Sequence, residues 1–264
     1  MNSICFLAQF PPPMHGLSKA VETLYNSRLN EKYKLSKIDI TDNKRILRSL
    51  AALMRCQSDV VYFTPSQTRG GNLRDLVFLK LIQWQGKKCI VHIHGGYYRH
   101  LVDNDLPGWQ RRMNYRAIGR LAGGIVLGQS LKSIFEGMLP DNRIFVCPNC
   151  VDDAYIASSI DEKMEGLKRN GVLHVLYLSN FIASKGYREV LEMARMASDK
   201  GDGDKFVFHF AGKFFDPREE EYFNEVSKGL GNVVYHGIVG GKDKADMLSL
   251  CNLFVLLTRY PNEG

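Results

Sequence analysis

The chain has 264 residues, 45% of them hydrophobic and 24% charged, with a net charge of +7 at pH 7. This ordinary globular composition excludes collagen, coiled coil and disorder, and at about 150 residues per domain the length suits one or two domains. No run of about 18 apolar residues occurs, and Met1–Phe10, which has no basic flank, reads as a first strand rather than as a membrane span or secretion signal.

In chain order, Ser3–Gln9 reads as a strand, Leu17–Leu29 as a helix, Leu35–Ile40 as a strand and Ile46–Met54 as a helix. The apolar run at 59–64 is a third strand, Leu73–Gln83 a helix and Lys88–His94 a fourth strand. A helix fills much of Trp109–Leu121, and strands at Gly124–Leu127 and Arg143–Cys147 complete the first half. The rhythm then repeats. Strands at Val172–Leu178, Phe206–Ala211, Val233–His236 and Leu253–Leu257 alternate with helices at Gly186–Ala197, Pro217–Gly229 and Lys242–Cys251. Continuous apolar strands separated by helices predict parallel, doubly wound sheets covered on both faces. A polar stretch near 158–170 predicts a boundary between two α/β domains, 1–165 and 170–264. The second is expected to be incomplete, because loop residues follow its fourth strand where a helix should begin. Trp84, Trp109 and the apolar helix stripes read as packing.

Charge divides unevenly between the halves. Residues 1–150 carry 21 Lys and Arg against 10 Asp and Glu, whereas residues 151–264 carry 14 against 18. A basic half suits an anionic substrate or an anionic membrane surface, with Arg111, Arg112, Arg116 and Arg120 spaced along one helix. No nucleic-acid module accompanies the charge, so nucleic acid is not an expected partner. The six cysteines, at 5, 56, 89, 147, 150 and 251, are spread out as in a reducing cytoplasm, the expected location.

Several segments carry chemistry. Pro11-Pro12-Pro13-Met14-His15-Gly16 ends the first strand, and the helix that follows offers free N–H groups to an anion. No G-x-G-x-x-G or G-x-x-x-x-G-K-[ST] occurs, which argues against a dinucleotide oxidoreductase and a P-loop nucleotidase. His92 and His94 fall on one face at the carboxyl end of a strand, where ligands bind in open α/β sheets, and Gly95 and Gly96 admit close approach. His92 reads as a satisfied core histidine and His94 as the functional one. No third ligand at metal spacing accompanies them, so no metal is expected. Cys147-Pro148-Asn149-Cys150 reads as a turn leaving a strand rather than a redox or zinc motif. Lys185 and Gly186 follow the first strand of the second half, a position from which a lysine can hold a phosphate.

Taken in order, these segments resemble the retaining, nucleotide-sugar-dependent glycosyltransferases of family 4. Pro11–Gly16 is similar to that family's Pro/Gly loop, and His92-Ile93-His94-Gly95-Gly96 to its acceptor-side strand. Pro148-Asn149-Cys150-Val151-Asp152 is similar to its interdomain P-N-G-V-D. Leu178-Ser179-Asn180 through Lys185-Gly186 resembles its donor-phosphate segment, and Leu256–Gly264 the lead into its E-x7-E motif. The resemblance implies the GT-B fold: two Rossmann-like domains, the first for a glycan or lipid-linked acceptor and the second for a nucleotide-diphosphate sugar, with no cofactor and no metal. It implies that Lys185 binds the donor diphosphate with Gly16 against it, and that Ser179, Asn180, Gly186 and Gly237 line the donor site. Glu263 would contact donor-sugar hydroxyls. His94 would lie near the reacting carbon, with His15, Gly95 and Gly96 on the acceptor side. The pathway implied is surface polysaccharide or glycolipid assembly, at the inner face of the plasma membrane.

Two departures stand out. Ser179 replaces an arginine often found six residues before the lysine, and the second glutamate would fall beyond Gly264. The competing readings are a nucleotide-sugar epimerase on the same fold and a truncated, inactive fragment that only folds or docks on membranes.

Overall fold

The computed structural model describes residues 2–14, 16–151, 155, 164–165 and 171–259. The chain divides into two compact units, Met1–Asn149 and Cys150–Asn262.

The first unit is built on six parallel strands: β1 (Ser3–Ala8), β2 (Lys34–Asp39), β3 (Val60–Phe63), β4 (Lys88–His92), β5 (Gly123–Val126) and β6 (Ile144–Val146), in the order β2-β1-β3-β4-β5-β6. The helices between them are α1 (Gly16–Tyr25), α2 (Leu29–Lys32), α3 (Ile46–Arg55), α4 (Arg69–Trp84), α5 (Tyr98–His100) and α6 (Gly108–Ile118). The two-residue strand period sorts neighbours to opposite faces. Leu7, Phe63, Val91 and Val126 pack with Phe78, Leu79 and Ile82 of α4, while Phe6, Ala8 and Tyr62 pack against Val21 of α1.

Helix α4 begins four residues before the apolar pattern does. Thr68 takes the N-cap and accepts the Gly71 N–H, an acceptor that hydropathy does not register. Helix α5 and the π turn Leu101–Asp105 that continues it are absent from the periodic reading, because the segment is too short to repeat; Tyr98, Leu101 and Val102 are nevertheless fully buried. The two tryptophans correct the sequence reading: Trp84 is 74% exposed and Trp109 is 49% exposed, each on the solvent side of its helix.

The second unit has four parallel strands, β7 (Leu173–Leu178), β8 (Phe206–Ala211), β9 (Val233–Tyr235) and β10 (Leu253–Phe254), in the order β10-β7-β8-β9. Helices α7 (Tyr187–Asp199) and α8 (Pro217–Ser227) cover Val175, Tyr177, Phe208 and Phe210 on one face, and Phe181 stacks on Phe214 with ring centroids 4.0 Å apart. Asp216 caps α8 by accepting the Arg218 N–H, and Pro217 supplies the first turn. Helix α9 (Gly241–Leu250) lays Met247 over Leu176 and Ala211 on the other face. Among the described residues, no helix is long and apolar enough to cross a membrane.

On the α9 face of this sheet, three histidines form a hydrogen-bonded row across adjacent strands. His174 Nδ1 lies 2.9 Å from His209 Nε2, and His209 Nδ1 lies 2.9 Å from His236 Nε2. His209 is buried, and its pKa is held down to about 4 by desolvation, with His236 and His174 reinforcing the effect. A base whose folded pKa is depressed is protonated first in the unfolded chain. Its stabilising effect is therefore complete above the unfolded value near 6.5 and is lost as pH falls towards 4. Unfolding free energy measured by urea denaturation is thus expected to be flat above about pH 6.5 and to fall below it, by up to about 1.4 kcal/mol per pH unit for each such histidine. His209→Leu is expected to make that slope shallower; an identical slope in the variant would show that His209 does not titrate in this way.

Candidate functional site

In an open parallel sheet, two loops diverge where the strand order reverses, and the crevice beyond the carboxyl ends there is the natural ligand position. In the first unit, the reversal lies between β1 and β3; in the second, between β7 and β10.

At the first reversal, β1 runs into Phe10 and the proline turn. The Phe10 N–H is held by Thr41 Oγ1 at 3.1 Å, and Ser18 Oγ donates to the Pro13 carbonyl at 2.9 Å, closing the turn onto the first residues of α1. Gly16 opens that helix with free space where a β-carbon would stand. His15 and Glu263 lie outside the described residues.

Beside this turn, β3 and β4 bring three rings together. Tyr62 Oη lies 2.7 Å from His92 Nδ1 and 3.3 Å from His94 Nε2, and the imidazole centroids are 3.9 Å apart. A hydroxyl with one proton donates to one imidazole and accepts from the other, so Tyr62 couples the two tautomers. Burial holds His92 down to about 3, with His94 adding to the shift, and holds His94 down to about 4 by desolvation, partly offset by the Asn149 side chain. Both imidazoles are therefore neutral at physiological pH. His92 corrects the sequence reading: it is buried but only half satisfied. Its Nε2, His94 Nδ1 and Thr64 Oγ1 are buried polar atoms with no hydrogen-bond partner among the described residues. Gly95, at φ +141°, leaves room for Gln67, whose side-chain N–H donates to the His94 carbonyl at 3.3 Å, and Gly96 is buried behind it. This cluster can offer neutral donors and acceptors to a hydroxyl-bearing ligand.

At the second reversal, β7 exits through Ser179 and Asn180. The Ser179 N–H donates to Ala211, and Tyr177 Oη donates to the Asn180 carbonyl at 3.1 Å. A short 3-10 turn, Ala183–Lys185, then delivers a half-buried Lys185. Gly186 follows at φ +75° and takes the N-cap of α7; a β-carbon there would lie 2.2 Å from the Leu257 carbonyl oxygen. Both the left-handed backbone and the close approach demand glycine. Arg259, beyond β10, donates its N–H to the Ser184 carbonyl at 2.9 Å and pairs through its guanidinium with Glu189 of α7, which lowers the Glu189 pKa. Glu189 Oε2 and Thr258 Oγ1 are buried without a partner among the described residues. Gly237 sits at the exit of β9, where its carbonyl accepts the Gly212 N–H at 2.8 Å.

The structure thus brings Ser179, Asn180, Lys185, Gly186 and Gly237 to the carboxyl edge of one sheet, and Gly16, His94, Gly95 and Gly96 to that of the other. Sequence reasoning missed Tyr62, Thr64 and Gln67 in the first unit and Glu189, Thr258 and Arg259 in the second. Each belongs to an ordinary strand, helix or loop pattern, and its polar atom acquires meaning only from a partner far away in the chain. Cys147 and Cys150 are free and exposed. Among the described residues, no group of three or more His, Cys, Asp or Glu side chains is placed to hold a metal ion.

No protein-family model matches the chain, and no curated protein matches it in sequence. Solved structures do match in fold. HepE of Anabaena, in complex with UDP and glucose, superposes with a TM-score of 0.61 at 13% identity, over 100% of this chain and 76% of its own. Sucrose-phosphate synthase of Thermosynechococcus elongatus gives 0.65 at 12% identity, over 100% and 77%. A glycosyltransferase of Rickettsia africae gives 0.62 at 12%, over 99% and 74%. The chain therefore has the α/β fold of these glycosyltransferases, with two Rossmann-like parallel-sheet units.

Two substitutions test the local geometry. Tyr62→Phe strands one nitrogen of each imidazole and is expected to cost about 1–3 kcal/mol in denaturant unfolding. Gly186→Ala combines a positive φ with a backbone collision and is expected to cost about 1–3 kcal/mol, with a matching fall in thermal midpoint. Wild-type stability in either variant would contradict the contact it removes.

Proposed function

We propose that the chain is a glycosyltransferase that moves a sugar from a nucleotide-diphosphate donor to a glycan or lipid-linked acceptor, with retention of anomeric configuration. The observation that carries this reading is the Lys185-Gly186 turn, held at the strand-order reversal of the second sheet by Leu257 and Arg259. The structures of HepE with UDP and with UDP-glucose support a nucleotide sugar as the donor class.

The chemistry follows from where charge develops. As the glycosidic bond to phosphate breaks, negative charge gathers on the departing diphosphate. Lys185 is the proposed cationic contact for that charge, and the first turn of α7, which receives no side-chain cap from Gly186, supplies N–H dipoles beside it. Ser179, Asn180 and Gly237 are assigned to the donor side, and Glu263 to the donor-sugar hydroxyls. In the first unit, neutral His94, supported by Tyr62, is assigned to a hydroxyl near the reacting carbon, with Gly16, His15, Gly95 and Gly96 around it. Retention in this reading comes from attack on the face that the diphosphate leaves, with a leaving phosphate oxygen taking the acceptor proton. No cofactor or metal is assigned to the reaction.

We place the enzyme at the cytoplasmic surface of a membrane, in surface polysaccharide or glycolipid assembly. Exposed Arg111, Arg112 and Arg116 of α6 line a surface hollow of about 570 Å³ together with Asp103, Asn104 and Tyr115, and the excess of arginine on this face suits anionic lipid. Flotation with phosphatidylglycerol vesicles at low salt tests this; equal flotation with neutral vesicles, or none, removes the membrane assignment.

The central test is calorimetric titration of the chain with UDP, GDP and their sugars. One donor family is expected to bind, and Lys185→Ala is expected to weaken its diphosphate about 10–100-fold while circular dichroism stays unchanged. Unchanged affinity in that variant would overturn the donor-site assignment.

A further inference from the structure

At the opposite end of the first unit from its candidate site, two cysteines distant in sequence meet. Cys5 lies in β1, 1% exposed, in register with Ser36 of β2. Cys56 follows α3 and is half-buried, and both thiols are free. The side chains of Cys5 and Cys56 are neighbours that interact with each other; Cys5 also interacts with the Ser36 side chain, and Cys56 with the backbone N–H and hydroxyl of Ser58. Ser36 Oγ and Ser58 Oγ lie 3.3 Å apart, joining the two ends of the cluster.

The charges around the pair are arranged unevenly. Cys56 stands at the C-terminal end of α3, where helix carbonyls disfavour an anion. Lys87 counters this by donating from its Nζ to the Cys56 carbonyl at 2.6 Å and the Ser58 carbonyl at 3.0 Å, which places an ammonium beside the thiol. The neighbouring carboxylate, Asp59, is turned to Ser3, whose N–H and hydroxyl it accepts. Burial pushes the Cys5 thiol up to about 12. Cys56 is shifted below its ordinary value, because Ser58, Cys5 and Lys87 together outweigh desolvation. A half-exposed thiol shifted towards its thiolate, with a second thiol beside it, is the arrangement of a peroxide-reactive cysteine and a resolving partner.

We propose that Cys56 and Cys5 form a reversible redox site, in which Cys56 reacts with hydrogen peroxide and Cys5 resolves the product as an intramolecular disulfide. The Cys56 thiolate attacks one peroxide oxygen, the O–O bond breaks and hydroxide leaves, giving a sulfenic acid at Cys56. The Cys5 sulfur then attacks the Cys56 sulfur, its proton goes to the departing hydroxyl, and water leaves as the S–S bond forms. Two thiols are oxidised by two electrons, and one peroxide is reduced to two waters in all. A dithiol reductant reverses the bond by exchange. The crosslink ties the middle of β1 to the end of α3 across the base of the sheet. This site is independent of the proposed sugar transfer.

Exposed Cys147 and Cys150 serve as internal controls. In the full chain, the pH–rate curve for iodoacetamide alkylation of Cys56, followed by peptide mapping, is expected to have its midpoint below the ordinary thiol value of about 8.5. Stoichiometric hydrogen peroxide followed by non-reducing peptide mapping is expected to yield a Cys5–Cys56 peptide that dithiothreitol abolishes. Cys5→Ala is expected to leave Cys56 as a sulfenic acid captured by dimedone. The wild-type mapping decides the matter even if that variant does not fold. Linkage of Cys147 to Cys150 alone, progression of Cys56 to sulfinic acid with Cys5 still a thiol, or a Cys56 midpoint at or above the ordinary thiol value would overturn the proposal.

Discussion

The contact of Gly186 with the Leu257 carbonyl is the constraint from which the second unit's site follows. It joins the exit of β7 to the exit of β10 at a separation no side chain would tolerate. Because these strands flank the reversal of strand order, the contact fixes the Lys185 turn at the carboxyl edge of the sheet. Arg259 adds a backbone hydrogen bond to the same turn and an ion pair to the first turn of α7. Lysine, glycine and helix start are thus held as one piece of backbone geometry, as the proposed donor site would require, since fixed dipoles need no reorganisation when charge develops.

The first unit solves a different problem. The end of β4 carries two imidazoles that desolvation keeps neutral, bridged by one phenol from β3. A neutral, partly unsatisfied polar cluster suits hydroxyl groups better than charged ones, because it forms hydrogen bonds without needing counter-charge. The excess positive charge of this half lies elsewhere, on surfaces such as that of α6. Histidine is put to a second use in the other unit, where His174, His209 and His236 run across the sheet as a hydrogen-bonded row. The same residue type takes two roles according to burial and neighbours.

Local pattern located most elements. Helix α3 starts at the expected Ile46 and β8 occupies the expected Phe206–Ala211, because both are strongly periodic or continuously apolar. Differences arose where a single polar atom or a distant partner decides. Thr68 lengthened α4 by capping it, and β10 ends at Phe254 because its pairing with β7 covers only two residues. Gly186 and Gly95 were legible as glycines near strand ends, but their necessity was not: it depends on Leu257 in one case and Gln67 in the other.

By itself, the sequence determined the alternation of strand and helix, the parallel sheets that alternation requires, and the strand ends that carry Gly16, His94 and Lys185. Period and apolar run length are local quantities, and chain order alone delivers each loop to a carboxyl edge. Only the tertiary structure decided that Tyr62 bridges His92 and His94, that Arg259 braces the Lys185 turn, that the tryptophans face solvent and that Cys5 meets Cys56. Each of those outcomes depends on which strands become neighbours, and that is set by the packing of the whole sheet.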